Sequence, residues 1–195
     1  MRSRVAGFVL AAIAAVSVSG CARDPVVSTV NAVPAGKWRI ERQTDRITGA
    51  PLASAFLMTR TVANSKVVFP QPAMLQLLCF KKNPAVRFAF PFPVGSTRNS
   101  VFGYRFDDRP GHEPSARFLA DFKTVVIEDP AEVAQFTNEL ATSASLYVLV
   151  RSLNAGRSSA EFSLEGAPAA ISAAFAECPV QTAKPADAPA ARKRA

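Results

Sequence analysis

The sequence has few of the residues on which metal sites and catalytic triads depend. Of its 195 residues, three are cysteine and one, His112, is histidine. No two cysteines stand in a CxxC spacing, so no zinc-ligand motif is present. The sequence has no G-x-S-x-G elbow, P-loop or G-x-G-x-x-G motif, and His112 stands in no arrangement resembling a triad. We therefore expect no metal, no cofactor, no catalytic residue and no enzymatic activity.

The chain also lacks an apolar run long enough for a membrane-spanning helix, which needs roughly 20 residues. Its uncharged stretch at 5–18 follows Arg2 and Arg4, which is typical of an export signal. Small residues then lead into Cys21 in the order Val-Ser-Gly-Cys. This order resembles the lipobox of bacterial lipoproteins, whose cysteine is acylated and becomes the mature N-terminus. The alternative is an ordinary secretory signal with a chance cysteine.

A lipid on Cys21 would hold the mature protein at a membrane without spanning it, because two or more acyl chains form a stable anchor. Ala22 follows, where lipoproteins kept in the inner membrane often carry aspartate. Resemblance to that sorting rule implies the periplasmic face of the outer membrane. The expected organisation is a lipoprotein signal peptide at 1–20, a lipidated tether at 21–36, a β-rich domain at 37–178 and a disordered basic tail at 179–195.

The distribution of charge argues against nucleic acid as a partner. The net charge is +8, but Arg2 and Arg4 lie in the leader, and the tail from residue 179 holds four basic residues against Asp187. Residues 21–178 therefore carry only +3, which is too little for a nucleic-acid footprint. The expected partners are a membrane, through the N-terminal lipid, and another protein of the envelope.

Cys79 and Cys178 are the two cysteines that the lipid would leave free. In an oxidising compartment two thiols favour one bridge. It would close a loop of about 100 residues and contribute ~4.7 kcal/mol in the chain-entropy model. The alternative is two buried free thiols.

Apolar–polar alternation and turn residues predict seven or eight strands among nine candidate segments. The candidate segments are 37–45, 55–62, 66–69, 73–80, 85–92, 100–108, 124–128, 145–153 and 159–166. Most of them precede the helices, and there is no βαβ alternation. This order predicts an α+β fold, with a β-rich antiparallel sheet or sandwich, two short helices and one disulfide.

Two short helices are predicted near the C-terminal end of the domain. Asp129 can cap the first helix, Pro130 suits its first position and Glu132 completes a capping box. This helix is expected over 130–141, with an apolar stripe of Val133, Phe136 and Leu140. The second helix is expected to begin near Pro168. Its apolar face would consist of Ile171, Ala174, Phe175 and Cys178, which would turn Cys178 toward the strand that carries Cys79.

The order of elements in the second half carries a family resemblance. A strand ending in a cysteine, LQLLC, is followed by GYRFDD, LYVLVR, AEFSLEGAPAAI and a terminal helix closing on AEC. Over roughly 37–178 this resembles small exported bacterial proteins with two half-cystines. They include periplasmic proteins associated with type VI secretion and the invasion-associated locus B family. The resemblance implies a small β-rich domain with a Cys79–Cys178 bridge and an accessory, non-enzymatic role in the envelope.

Two segments are candidate binding sites. The first is polar, with Asp107, Asp108, His112 and Glu113 around a turn rich in proline and glycine. These side chains could bind a cation, or supply a carboxylate and a base; the alternative is a solvated turn. The second is apolar, with Phe88, Phe90 and Phe92 alternating along AVRFAFPF. These rings could form a groove for a partner, or they could belong to the core.

The function that we expect is that of a membrane-anchored envelope lipoprotein, a non-enzymatic binding or assembly accessory. It would bind through a sheet edge or through the aromatic segment. Two alternatives stay open. One is a solute- or cation-binding module, and the other is an enzyme acting on envelope polymers, with Asp107, Asp108 and Glu113 as its candidate carboxylates.

Overall fold

The computed structural model describes residues 27–45, 48–68 and 72–178. These residues form eleven strands and two helices, joined by turns and loops. The strands are β1 (Val27–Ala35), β2 (Trp38–Asp45), β3 (Pro51–Thr59), β4 (Val62–Asn64), β5 (Ala73–Phe80), β6 (Asn83–Ala89), β7 (Ser100–Phe106), β8 (Ala116–Phe118), β9 (Thr124–Ile127), β10 (Ser145–Ser152) and β11 (Gly156–Ser163). The helices are α1 (Pro130–Leu140) and α2 (Ala167–Ala174). The predicted signal peptide, Cys21 and the basic tail lie outside the described residues. Within those residues, neither helix has the length and apolar character to cross a membrane.

The strands pair antiparallel in two open sheets. The larger has the order β1-β2-β3-β5-β6-β9-β8, and the smaller has the order β4-β11-β10-β7. Side chains alternate between the two faces of a strand, so each sheet turns one face to the core. In β5, for example, Leu75 and Leu77 are fully buried, whereas Met74 and Gln76 on the opposite face are only partly buried. The predicted α+β architecture is confirmed.

One hydrophobic core joins the two sheets and both helices, and Phe88 of β6 lies within it. The Phe88 ring centre is 4.9 Å from that of Phe102 in β7 and 6.5 Å from that of Phe162 in β11. The ring of Phe136 in α1 meets Phe88 edge-on at 5.9 Å. Burying each such ring stabilises the fold by ~1.5–3 kcal/mol, so these contacts hold the sheets and α1 together.

Helix α1 begins where the sequence predicts. The Asp129 carboxylate accepts hydrogen bonds from the backbone N–H groups of Ala131 and Glu132, at 3.0 and 3.1 Å. These bonds satisfy two N–H groups that have no partner within the helix. The predicted stripe is also confirmed, because Val133, Phe136 and Leu140 are all fully buried.

The predicted disulfide is confirmed, but Cys178 does not lie in the predicted helix. Cys79 of β5 is bonded to Cys178, and their Cα atoms are 5.7 Å apart. Helix α2 ends at Ala174, so Cys178 lies in the turn after the helix and not on its face. The residues that α2 buries are Ala167, Ala170 and Ala174, whereas Ile171 is only partly buried. Small side chains let the helix pack closely on β2, β3 and β5.

Three further segments differ from the predicted secondary structure. Val27–Ala35, within the segment predicted as a tether, forms β1; Pro34 fits there because β1 is an edge strand. Residues 65 and 66 form a turn where a strand over 66–69 was expected. The short strand β8 (Ala116–Phe118) was not predicted at all.

Candidate functional site

Asp107, the first residue of the predicted polar cluster, holds a loop in place. It follows β7 in a left-handed conformation, with φ +44°. Its carboxylate accepts hydrogen bonds from the backbone N–H of Ser145 at 2.8 Å and of Ala144 at 3.1 Å, and from the Ser145 hydroxyl. The backbone hydrogen bond from Ser145 is the main cause that lowers the pKa of Asp107. The side chain therefore joins the end of β7 to the start of β10.

His112 links the chain beyond that turn to helix α1. Its backbone N–H and carbonyl both bond to Tyr104 of β7, at 2.8 and 2.9 Å. Its ring lies 5.1 Å from the Tyr104 ring, centre to centre. The ring nitrogens meet two side chains of α1: Nδ1 is 3.0 Å from Gln135 Nε2, and Nε2 is 3.0 Å from Glu139 Oε1. With the Gln135 amide donating to Nδ1, the proton on Nε2 faces the Glu139 carboxylate.

The remaining two members of the cluster turn elsewhere. Glu113 forms an ion pair with Arg151 of β10, and Asp108 is exposed in the turn after β7. The structure thus brings His112 and Glu113 to the same stretch of surface. The side chains of Asp107, His112 and Glu113 nevertheless contact different parts of the fold. Among the described residues no group of three or more His, Cys, Asp or Glu side chains is placed to hold a metal ion.

His112 and Glu113 line a cleft of about 610 Å³ on the outer surface of the four-stranded sheet. Its floor includes Gly103 and Leu149, and Arg105 and Tyr147 also line it. The backbone approaches closely at Gly103, where a Cβ would lie 3.2 Å from the His112 carbonyl oxygen. The absence of a side chain lets residues 111–113 cross over β7.

Tyr104 is the titratable group buried deepest beside this cleft. Its side chain lies among Phe106, Phe136 and the His112 ring, and its hydroxyl is buried without a hydrogen-bond partner in the described part of the chain. Burial raises the pKa of Tyr104, and the carboxylates of Glu139 and Glu132 raise it further. The phenol therefore stays protonated at physiological pH and does not serve as a base.

The aromatic segment is not an exposed groove. Phe88, Phe90 and Phe92 are only 1%, 4% and 7% exposed, and all three belong to the core. The alternation that suggested a binding face is real, but the face that carries the rings is the inner one. Of the two alternatives for these rings, the structure therefore shows the core and not an exposed groove for a partner.

The seven-stranded sheet has an outer face that sequence analysis did not single out. Cross-strand pairing aligns Arg39, Phe56, Gln76 and Arg87 in one row across β2, β3, β5 and β6. Met58 lies opposite Met74 in the next row, and Leu78 lies on the same face. These seven residues are hereafter the outer face. None of them belongs to the hydrophobic core cluster, which holds the side chains of the opposite face of these strands together with those of α1 and α2.

Two polar atoms on the outer face lack hydrogen bonds. Gln76 Oε1 and Arg87 Nε are buried by neighbouring side chains and have no partner within the described residues. They belong to directly paired residues of β5 and β6. Gln76 Oε1 is an acceptor and Arg87 Nε is a donor, so the row carries two polar groups between the apolar side chains of the outer face.

Comparison with known proteins gives one structural likeness. No protein-family model matches the chain, and no curated protein matches it in sequence. Among solved structures, the fold is similar to the crystal structure of invasion associated protein B from Bartonella henselae. The two are 11% identical, with a TM-score of 0.48, over 76% of this chain and 96% of that chain. A likeness of this degree assigns neither an activity nor a partner.

One sequence signal could have indicated the outer face. Strand β5 reads AMLQLLCF, which is apolar at nearly every position, and β3 contains the run AFLM. An antiparallel strand with one wet face normally alternates, so an unbroken apolar run means that both faces are apolar. Only the pairing of the strands shows that the second set of apolar side chains forms one surface.

Proposed function

We propose that this chain is a non-enzymatic binding or assembly accessory of the bacterial envelope, held at a membrane by a lipid on Cys21. The observation that carries the binding role is the outer face. It presents Phe56, Met58, Met74 and Leu78 on the side of the sheet away from the core, and Met58 is half exposed. Phe56, Met74 and Leu78 are partly buried, so the face offers a partner a mixed surface of apolar side chains, two arginines and a glutamine.

Two arginines lie among the apolar side chains of the outer face, and Glu41 lies in the neighbouring row with Leu78. Arg39 and Arg87 stand in the same row as Phe56 and Gln76, and neither arginine has a carboxylate within ion-pair distance in the described chain. A complementary surface would offer apolar side chains flanked by carboxylates.

The settings of the polar cluster support binding rather than catalysis. Asp107, His112 and Glu113 are each engaged with a different structural partner, namely the start of β10, helix α1 and Arg151. A general acid and base must converge on one reacting atom within hydrogen-bond reach. Three groups that stabilise separate contacts do not meet that condition.

The disulfide supports an exported location. A bridge such as Cys79–Cys178 persists in oxidising compartments such as the periplasm, where lipoproteins of the outer membrane also reside. The lipid anchor itself is tested by Cys21→Ala. We expect this variant to move from the membrane fraction to the soluble periplasmic fraction, whereas unchanged membrane association would contradict the anchor.

The binding role is tested by photo-crosslinking in intact cells from two positions. A photo-reactive amino acid at Met58 would report on the outer face, and one at Leu153, in the β10–β11 turn, serves as the control. Leu153 is 88% exposed against 50% for Met58, so random encounters would favour the control. We expect one protein that crosslinks from position 58 and not from 153, and that no longer co-purifies with Met58→Glu. The same products from both positions would overturn the assignment.

A further inference from the structure

A second cavity, of about 430 Å³, lies away from the outer face and shares no residue with it. It opens among four loops, which are the turn after β4, the segment 92–99, the β8–β9 turn that carries Phe122 and the β10–β11 turn. Its apolar walls come from Val67, Phe92, Pro93 and Phe122. Its volume falls within the ~300–1,000 Å³ of small-molecule sites, which are mostly apolar with a few placed polar groups. This space is hereafter the Phe92 cavity.

The polar groups of the Phe92 cavity include unpaired hydrogen-bond donors. Lys66 Nζ donates to the Asn154 carbonyl at 2.5 Å, and its other protons have no acceptor among the described residues. Asn99 Oδ1 accepts from Ser96 N, Ser96 Oγ and Ser100 Oγ. These three bonds fix the orientation of the Asn99 side-chain amide. Its Nδ2 group has no acceptor within the described chain and can donate to a ligand.

The wall formed by Phe122 is held in an unfavourable conformation. Its φ is +58°, which is rare for a bulky residue, and its side chain is 53% exposed. The Phe122 carbonyl accepts the backbone N–H of Val94 at 2.7 Å and of Gly95 at 3.3 Å, which fixes the strained turn. The turn therefore holds the Phe122 ring in a defined place, as one wall of the cavity.

From these groups we infer that the Phe92 cavity binds a small amphipathic carboxylate, with its apolar body against Phe92, Pro93 and Phe122 and its carboxylate toward Lys66 and Asn99. A carboxylate is an acceptor only, so it matches a donor set of one ammonium and one amide. This inference goes beyond the proposed partner binding, and either can fail without the other.

Calorimetric titration of the purified protein with decanoate tests the assignment. Decanol, which has the same apolar body without the charge, shows how much of the binding depends on the carboxylate. We expect Lys66→Gln to weaken decanoate binding by roughly three- to tenfold, because a partly exposed charge-assisted hydrogen bond is lost. The same substitution should leave the weaker decanol binding unchanged. Lys82→Gln is the matched control, since Lys82 is an exposed lysine in the β5–β6 turn, at the opposite end of β6.

A second variant tests the apolar half of the site. Phe122→Gly removes one wall and also relieves the left-handed backbone, so it should weaken binding of both decanoate and decanol while the protein stays folded. Absence of decanoate binding to the unsubstituted protein would overturn the inference. Equal decanoate affinity of the Lys66→Gln and Lys82→Gln variants would do so as well, because the head group would then lie elsewhere.

Discussion

Gly36 and Gly166 lie back to back, and neither position has room for a side chain. A Cβ on Gly166 would be 2.1 Å from the Ala35 carbonyl oxygen, and a Cβ on Gly36 would be 2.4 Å from the Glu165 carbonyl oxygen. Both residues are left-handed, with φ of +91° and +60°. The close approach lets Lys37 N donate to the Glu165 carbonyl at 3.0 Å. The β1–β2 turn is thereby joined to the start of α2.

Gly166→Ala should therefore destabilise the protein by more than the steric penalty of alanine at a positive φ alone. We expect a decrease of at least about 3 kcal/mol in the free energy of unfolding, since the methyl group meets backbone that cannot move aside. Gly49→Ala is the control, because φ there is +70° and no described atom lies within 4 Å. That variant should lose only about 1–2 kcal/mol. Urea unfolding measures both, and equal losses would disprove the contact.

Cys79→Ser should lower the free energy of unfolding by roughly 2–5 kcal/mol, because the unfolded chain would lose a crosslink between residues 99 apart in sequence. Reducing the unsubstituted protein should produce a similar loss. Alkylation in denaturant followed by peptide mapping should label Cys178 in the variant and not in the unreduced, unsubstituted protein. A variant of unchanged stability, with Cys178 still unreactive, would refute the pairing.

Asp107→Asn should lower the melting temperature near neutral pH, because it removes the negative charge that the N–H groups of Ala144 and Ser145 stabilise. The folded state lowers the pKa of Asp107 below its ordinary value of 3.8, so its contribution is present above that pH. It is lost as the pH falls through the lowered pKa. The gap in melting temperature between the two proteins should therefore close on acidification.

The neighbouring residue supplies a control for this pH dependence. Asp108→Asn removes the same charge one residue further along, at an exposed position in the turn. Its melting temperature should follow that of the unsubstituted protein at every pH. If the two asparagine variants have the same melting temperature at every pH, the hydrogen bonds to Asp107 do not contribute to stability. The effect of Asp107→Asn would then come only from the change in net charge.

Phe122→Gly should give a more stable protein than Phe122→Ala, by about 1 kcal/mol, because only glycine accepts a φ of +58° without a steric penalty. Lys82, with φ +63°, offers the same comparison in another turn, and the same order is expected there. Chemical denaturation of the four variants gives both differences. An alanine variant equal to its glycine counterpart at position 122 would show that the turn is not strained in solution.

Local signals in the sequence predicted the elements that depend on near neighbours. Helix α1 follows from Asp129, Pro130 and a stripe of three apolar residues within one segment, and the β10–β11 hairpin follows from two alternating runs around a turn. The disulfide could be predicted because the lipobox-like order accounts for Cys21 and leaves only Cys79 and Cys178 to pair. Each of these inferences needs only the residues of one or two segments.

Features that depend on distant pairing could not be predicted. Strand β1 was missed because Pro34 argues against a strand unless that strand is known to lie at an edge. The contact of His112 with Glu139 joins a loop to a helix, and nothing in either segment indicates the other. The outer face has the same origin, since Arg39, Phe56 and Gln76 form a row only after three strands have been placed in register.

The disulfide also closes the chain into a covalent ring. Residues 79–178 enclose both helices, β6 to β11 and the loop that carries His112, whereas β1 to β4 lie outside. A protease that cuts one exposed loop inside the ring leaves the two new ends joined through Cys79 and Cys178. Such a nicked molecule keeps its parts together, whereas a cut before β5 has no covalent link to hold the fragments. Wherever a protease cuts inside the ring, the disulfide therefore keeps the half of the fold that follows β5 in one covalent piece.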